Sequence, residues 1–439
     1  MSLVTLSRLL TDARPDHHPV ALRRGETVPF ARFRADTASA AARLGGCARV
    51  AVVCRDSYAA AVAMFAALHA GAEVVIPANG LPATLASLRD SFDRLVDDAF
   101  VEAGQGEAVA LTPLDASRPQ LHFFTSGSTG APKKISKTLA MLDCELDTLE
   151  GLWGDSIGGG PVLATVSHQH IYGLTFKVLW PLAAGRAFAG DMHEIWETLA
   201  AALPGGAVVV ASPAHLGRLS GLAAMPEHRR PARIFSAGAP LSLAAAREAE
   251  AIFGILPTEI FGSTETGAIA TRRQAAEDQP WSLLPGIALR TDPDGRLSLR
   301  SPFVGPDWFD TSDVVAPTAD GFRFLGRADR VVKIEGKRVS LAEVEQALPS
   351  LPWVAAAAAV LLPGEPSRLA AVVVPSAEGS ERLSVLGGFR FGRLLRRALA
   401  DRFEPAALPR QWRFVDALPL RAMGKRSDAD LLALFGAGA

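Results

Sequence analysis

The sequence predicts an α/β fold: a large N-terminal domain of parallel-type sheets with covering helices, a β-rich subdomain, and a small α+β C-terminal domain. Three observations carry this expectation. From residue 30 to residue 253, helical patterns alternate with short, continuously apolar strands, as in a parallel sheet covered on both faces. Residues 281–325 are dense in strand and turn signals, with Pro293-Asp294-Gly295-Arg296 and Asp320-Gly321 marking turns. Beyond them a helical stretch from Ser340 to Leu348 is flanked by apolar strands, Ala355 to Leu361 and Leu369 to Val374.

In chain order, Phe30 to Leu44 reads as an alanine-rich amphipathic helix stopped by Gly45-Gly46. Arg49 to Cys54 is a strand, and Ser57 to Ala70 a helix with Ser57 as its N-cap and Gly71 as its stop. Ala72 to Ile76 is a strand closed by Pro77. The run Leu121 to Phe124 ends another strand. Pro161 to Val166, Ala207 to Ala211 and Ala232 to Ser236 follow as strands, with helices from Pro213 and over Ser242 to Phe253. Ser340 and Glu343 form a capping box for the later helix.

Bulk properties narrow the function. The chain has 439 residues, 49% apolar and 21% charged, enough for two or three domains. A net charge of −1 argues against a nucleic-acid partner. Three cysteines, Cys47, Cys54 and Cys144, lack metal-ligand spacing and fit a reducing compartment. The longest apolar run, Val354 to Leu362, is too short to span a bilayer, and the N-terminus lacks a signal peptide's apolar core. A soluble, cytoplasmic protein without membrane insertion is expected.

The chemistry concentrates in Thr125-Ser126-Gly127-Ser128-Thr129-Gly130-Ala131-Pro132-Lys133-Lys134. Its glycines let backbone approach a ligand, consecutive N–H groups cradle an anion, and hydroxyls and lysines add donors and charge. The loop suits a polyphosphate. It is not a Walker A loop, whose glycines are spaced differently and whose lysine directly follows the last glycine. A flexible Ser/Gly linker would not follow a Phe-Phe strand or end on Lys-Lys. Phe261-Gly262-Ser263-Thr264-Glu265-Thr266-Gly267 packs an aromatic ring, hydroxyls and a carboxylate into one short turn. His168 and His170 alternate as two ligands on a strand would, but no third ligand is spaced to join them.

The Thr125–Lys133 loop resembles the phosphate loop of the adenylate-forming superfamily, which holds acyl- and aryl-CoA ligases, peptide-synthetase adenylation domains and luciferases. Lys134 stands where that family usually has glycine. Three further stretches resemble the family in the expected order: Phe261 to Gly267, Gly326 to Val339, and Leu418 to Lys425. Phe309-Asp310-Thr311-Ser312-Asp313 is similar to its Thr-Gly-Asp, with Ser312 for glycine. The resemblance implies ATP and Mg²⁺ as cofactors. It implies that Phe261 stacks on adenine, Thr264 contacts the α-phosphate, Glu265 binds Mg²⁺, Asp313 grips the ribose hydroxyls and Arg327 meets ribose and phosphate. Thr125, Ser126, Gly127, Ser128, Thr129, Gly130 and Lys133 would hold phosphates. Gly238, Ala239 and Pro240 lie at a strand's carboxyl end, where open α/β sheets bind ligands, and Ala237 to Ala239 would line the acid pocket. His170 would border the acyl carboxylate. Lys425 would be the catalytic lysine, and Asp329 the hinge between a large domain, residues 1–325, and a mobile small domain, residues 326–439.

The implied reaction joins a small carboxylic acid to a thiol through an acyl-adenylate. Residues 167–176 resemble the version in ligases of aryl polyene (xanthomonadin-type) pigment clusters. This points to a hydroxybenzoate-like aromatic acid and to transfer onto the phosphopantetheine thiol of an acyl carrier protein. An aryl- or fatty-acyl-CoA ligase using free CoA shares every motif. An inactive nucleotide-binding regulator is the reading from another class. Arg390, Arg393, Arg396, Arg397 and Arg402 cluster on one expected helix, as a basic dock for an acidic carrier or as an ordinary solvated face.

Overall fold

The computed structural model describes residues 3–11, 14–104, 107–126, 132–334, 337–363, 368–400, 402–403, 405–419 and 427–436. Contacts divide the chain into two compact units, Met1–Ala288 with Arg300–Asp307, and Leu289–Leu299 with Trp308–Ala439.

The first unit is α/β, as expected. Its five-stranded sheet has the order Arg94–Val96, Arg49–Val52, Glu73–Ile76, Pro119–Ser126, Pro132–Thr138. All neighbours are parallel except the last pair, an antiparallel hairpin. Leu121, His122 and Phe123 are all buried on their strand, while Phe124 packs on Ala51, Val75, Leu88 and Phe92. Burial on both faces is what a continuous apolar strand demands.

The second sheet runs Trp281–Leu283, Gly267–Arg272, Thr258–Ser263, Arg233–Ala237, Val208–Ala211, Val162–Ala164, Phe188–Ala189, Pro19–Arg23, Glu26–Pro29. The strands from Thr258–Ser263 through Pro19–Arg23 are mutually parallel. Their carboxyl ends therefore share one edge of the sheet. Loops 165–170, 238–242 and 264–266 all leave from that edge.

Helix Phe30–Arg43 matches the expected span. Helix Ser57–His69 does too, but its N-cap is Asp56, whose carboxylate accepts from the Ala59 N–H. Ser57 is the first helical residue and gives its hydroxyl to His168 instead. Helix Leu243–Phe253 is capped by Ser242 and ended by Gly254 at a left-handed φ of 74°.

In the second unit, strands Ala288–Thr291, Arg296–Ser301, Gly305–Thr318 and Gly321–Arg327 are neighbours in that order. Strands Val354–Leu362, Arg368–Pro375 and Gln411–Phe414 form a second sheet, antiparallel then parallel. Helices Leu341–Ala347 and Ala377–Leu399 cover it through Val344, Phe391, Leu395 and Leu399. Helix Asp428–Gly436 inserts Leu431 beside Ala358, Val360 and Val372. Ser340 accepts from the Glu343 N–H, as the capping pattern expects. Among the described residues no helix is long and apolar enough to cross a membrane.

Candidate active site

The turn at 261–267 shows how its hydroxyls divide their work. Ser263 donates its backbone N–H to Thr266 Oγ1 at 3.0 Å, and Thr266 returns its N–H to Ser263 Oγ at 3.2 Å. The Thr266 hydroxyl donates to the Gly267 carbonyl at 2.9 Å. These two hydroxyls are thus spent on locking the turn. A Cβ on Gly262 would run into the Gly267 carbonyl, so only glycine lets the two strands close here. Thr264 and Glu265 are left at the tip, half-buried. Among the described residues the Thr264 hydroxyl has no hydrogen-bond partner.

Two buried ionisable side chains support this tip. Lys137, 3% exposed, donates to the carbonyls of Glu265 at 2.6 Å and Phe303 at 2.9 Å. Glu145, also buried, accepts from the Ala268 N–H at 2.8 Å. Burial lowers the Lys137 ammonium from its ordinary range, against the pull of Glu145 and Glu265. Neither residue was expected at the site. The signal for Glu145 was its place on the apolar stripe of helix Leu139–Ile157, between Leu142, Leu146 and Leu149.

The hairpin Pro119–Ser126 and Pro132–Thr138 pairs Thr125 with Lys133 and Ser126 with Pro132. The expected phosphate loop therefore closes a strand–loop–strand hairpin rather than opening a helix. Gly127, Ser128, Thr129 and Gly130 lie outside the described residues. Lys133 reaches Glu265 Oε1 at 3.3 Å and joins the hairpin to the turn. Burial alone would raise the Glu265 carboxyl. Hydrogen bonds from its own N–H, Lys133 and Ser263 outweigh that and hold it below its ordinary range. An ionised, half-buried carboxylate beside a loop of this composition fits Mg²⁺, which is usually held by one or two carboxylates plus phosphate. Among the described residues no group of three or more His, Cys, Asp or Glu could hold a metal ion.

Phe261 abuts Trp281 at 5.2 Å between ring centroids, and Arg272 lies over that indole at 4.4 Å. Gly238, at φ 99°, begins an exposed turn with Ala239 and Pro240 after strand Arg233–Ala237.

His170 is the N-cap residue of the helical segment that starts at Ile171. Ser167 seats it: its hydroxyl accepts from the Gln169 N–H at 3.1 Å. A Cβ on Gly173 would strike the Ser167 carbonyl, so this glycine permits the loop to fold back. His168 is fully engaged, with Nδ1 at 3.0 Å from Ser57 Oγ and Nε2 at 3.0 Å from the Cys54 carbonyl. Burial pushes its pKa down to about 4, so the ring is neutral, donating to Cys54 and accepting from Ser57. Both nitrogens are spent within the protein, which leaves no lone pair for a metal. Nearby, Lys177 is buried and donates to the Asp191 carbonyl at 2.8 Å.

Beyond His170, Tyr172 lies 5.0 Å from Phe176, which lies 5.1 Å from Phe235 on the strand ending at Ala237. Leu174–Leu179 is a π-helical stretch, a form frequent at functional sites. Among the described residues the buried hydroxyls of Tyr172 and Thr175 have no partner.

In the second unit Asp313 and Arg327 face each other in strand register, with a 3.8 Å ion pair. Asp310 is spent on Ser298 at 2.6 Å, and the Thr311 hydroxyl on the Leu297 carbonyl. Asp329 lies in the single turn Ala328–Arg330. Arg330 binds Glu345 at 2.6 Å, the Ala359 carbonyl and Asp428. Lys425 lies outside the described residues.

Residues 84–292 match the family described as AMP-binding enzyme, and residues 343–425 match the AMP-binding enzyme C-terminal domain. The chain is 31% identical over 311 residues to a 4-coumarate–CoA ligase of Cereibacter sphaeroides, covering 70% of each protein. It is 39% identical over 134 residues to the phenyloxazoline synthase MbtB of Mycobacterium tuberculosis, covering 30% of this chain and 9% of that one. A benzoate CoA ligase structure from Burkholderia xenovorans LB400 superposes with a TM-score of 0.79 at 20% identity, covering 98% of this chain and 100% of that one.

Proposed function

Belonging to the AMP-binding enzyme family, the chain is an ATP-dependent, AMP-forming ligase, and we propose that it activates a hydroxybenzoate-like aromatic acid for an acyl carrier protein. One observation carries the choice of acid: the buried Tyr172 hydroxyl without a partner, set in an aromatic row that leads to Ala237. A buried unpaired hydroxyl costs about 1–3 kcal/mol. A ring bearing a hydroxyl would stack in the row and satisfy that group. The relative's name, a ligase for coumarate, supports the same class of acid.

In the first step the acid's carboxylate oxygen attacks the α-phosphorus of ATP, and the bond to pyrophosphate breaks. Charge gathers on phosphoryl oxygens, where fixed donors act with little reorganisation. Thr264 would meet the α-phosphate and Asp313 the ribose hydroxyls. Lys133 and the 125–130 loop would hold the leaving phosphates, and Phe261 the adenine. Mg²⁺, when bound at Glu265, would neutralise phosphate charge. Lys425 would stabilise the reacting carboxylate and phosphate together. In the second step a thiolate attacks the acyl carbon and AMP leaves with the bonding electron pair. We assign Asp329 as the hinge about which residues 326–439 move between the steps, with Arg327 on the nucleotide. His170 would border the acyl carboxylate.

The aryl polyene-type motif at 167–176 supports a carrier protein as acceptor. The relatives named as CoA ligases favour free CoA as the second reading. Pyrophosphate release across benzoate, hydroxybenzoates, coumarate and fatty acids, each with holo-carrier protein or CoA, separates the two. Hydroxybenzoate turnover that depends on the carrier is expected, and Tyr172→Phe should lose a preference for hydroxybenzoate over benzoate of at least about tenfold. Turnover of fatty acids with CoA would overturn both acid and acceptor.

A further inference from the structure

Helix Ala377–Leu399 is interrupted at Gly387, whose φ of 71° breaks the helical path. The half that follows is seated on one side. Phe391, Leu395 and Leu399 are buried in the sheet-covering core. A Cβ on Gly392 would lie 2.6 Å from the Trp412 ring. That side cannot turn outward.

The opposite side is unusual in two respects. Phe389 is 79% exposed, and Val385, just before the break, is 82% exposed. Arg390, Arg393 and Arg397 are exposed and Arg396 is half-buried. At 3.6 residues per turn, positions 389, 390, 393, 396 and 397 fall within an arc of roughly 120°. Among the described residues, none of these four arginines has a carboxylate partner. Arg382, on the earlier half, does: it pairs with Glu378 at 3.1 Å and covers Trp353. Among the described residues the face therefore holds unpaired positive charge around one bare aromatic ring.

We infer that this face is a docking surface for an acidic helical protein carrying an apolar side chain, a carrier domain that brings the thiol acceptor. The inference rests on the proposed function, which needs a protein-borne thiol. Exposed arginines steer such a partner and fix its register, and a single aromatic anchor supplies the apolar contact. An anionic lipid surface fits less well. The apolar side of the helix is consumed in the core, and only Val385 and Phe389 remain to enter a bilayer, against the broad apolar face that interfacial helices use.

The test uses the full chain, its Arg393→Glu/Arg397→Glu and Phe389→Ser variants, and a purified acyl carrier protein with and without its phosphopantetheine arm. Arg393→Lys/Arg397→Lys controls for folding, with thermal melting alongside. Expected is a loss of affinity for the arm-less carrier of at least about tenfold in the charge-reversed variant. Affinity of the wild type should fall with added salt, and acid-dependent pyrophosphate release should stay unchanged in all variants. Unchanged carrier affinity in the reversed variants overturns the surface. So does wild-type binding to phosphatidylserine vesicles that the variants lose while carrier affinity holds. If the carrier binds this face but only CoA is acylated, the surface stands and the proposed acceptor falls.

Discussion

Lys137 decides whether Glu265 is held or merely nearby. Its ammonium donates to two carbonyls, the part-buried one of Glu265 and the buried one of Phe303. Lys137→Met should cost about 1–3 kcal/mol by leaving the buried Phe303 carbonyl unsatisfied, and pyrophosphate release should fall with it. Lys133→Ala removes only a pair whose lysine is 58% exposed. Its stability should stay within about 1 kcal/mol of wild type, while KM for ATP rises. Chemical denaturation beside initial rates separates the two. His168 gives a pH signature. The unfolded ring titrates near 6.5 and the folded ring near 4. Between those values the unfolded chain binds more protons, so stability falls as pH drops, by on the order of 2–3 kcal/mol. Denaturation curves for His168→Gln should show that part of the acid slope removed; an unchanged slope would assign it elsewhere. None of this was legible in the chain. Hydropathy places Lys137 outward on its strand, and only three-dimensional partners explain a buried lysine. Lys177, alone within the apolar run Leu174 to Trp180, did carry a visible signal.

Elements were more legible than residues. The helices Phe30–Arg43 and Leu243–Phe253 follow their apolar periodicity and stop signals closely, and Ser57–His69, buried all round, follows its cap and stop signals. The cap at Asp56 was missed because aspartate and serine stand side by side, and both cap well. The choice between them is made by His168, more than a hundred residues away. Lys133 and Lys134 begin a strand for a similar reason. Ile135 alternates inward with Lys137, and a buried lysine hides the period-two pattern. The hairpin between Thr258–Ser263 and Gly267–Arg272 depends on Gly262. Gly262→Ala should destabilise the protein by about 1–3 kcal/mol, because the strands must part to admit the methyl group. Thr264 and Glu265 would move with them, so ATP-dependent pyrophosphate release should drop further than the stability loss explains. Equal activity at a temperature where the variant is folded would refute the coupling.

At the scale of the molecule, the motifs fall on both compact units. Thr264, Glu265 and Lys133 belong to one, Asp313 and Arg327 to the other. The alternation of helices with continuously apolar strands made the α/β assignment readable before any coordinate, and the order of the family stretches did so for the ligase chemistry. Residues 300–307 join the first unit out of sequence. If the two steps use different arrangements of residues 326–439, Lys425 should serve only the first. Lys425→Ala should slow adenylate formation by about a hundredfold or more. Thiol transfer from a preformed acyl-adenylate should stay within about twofold of wild type. Equal losses in both steps would remove the division of labour.

The intact mass of a holo-acyl carrier protein, after incubation with the enzyme, ATP, Mg²⁺ and a hydroxybenzoate, tests the central claim most directly. A mass increase of one hydroxybenzoyl group on the carrier is expected, with AMP and pyrophosphate as the other products. An unchanged carrier alongside hydroxybenzoyl-CoA, when CoA is supplied, would contradict it.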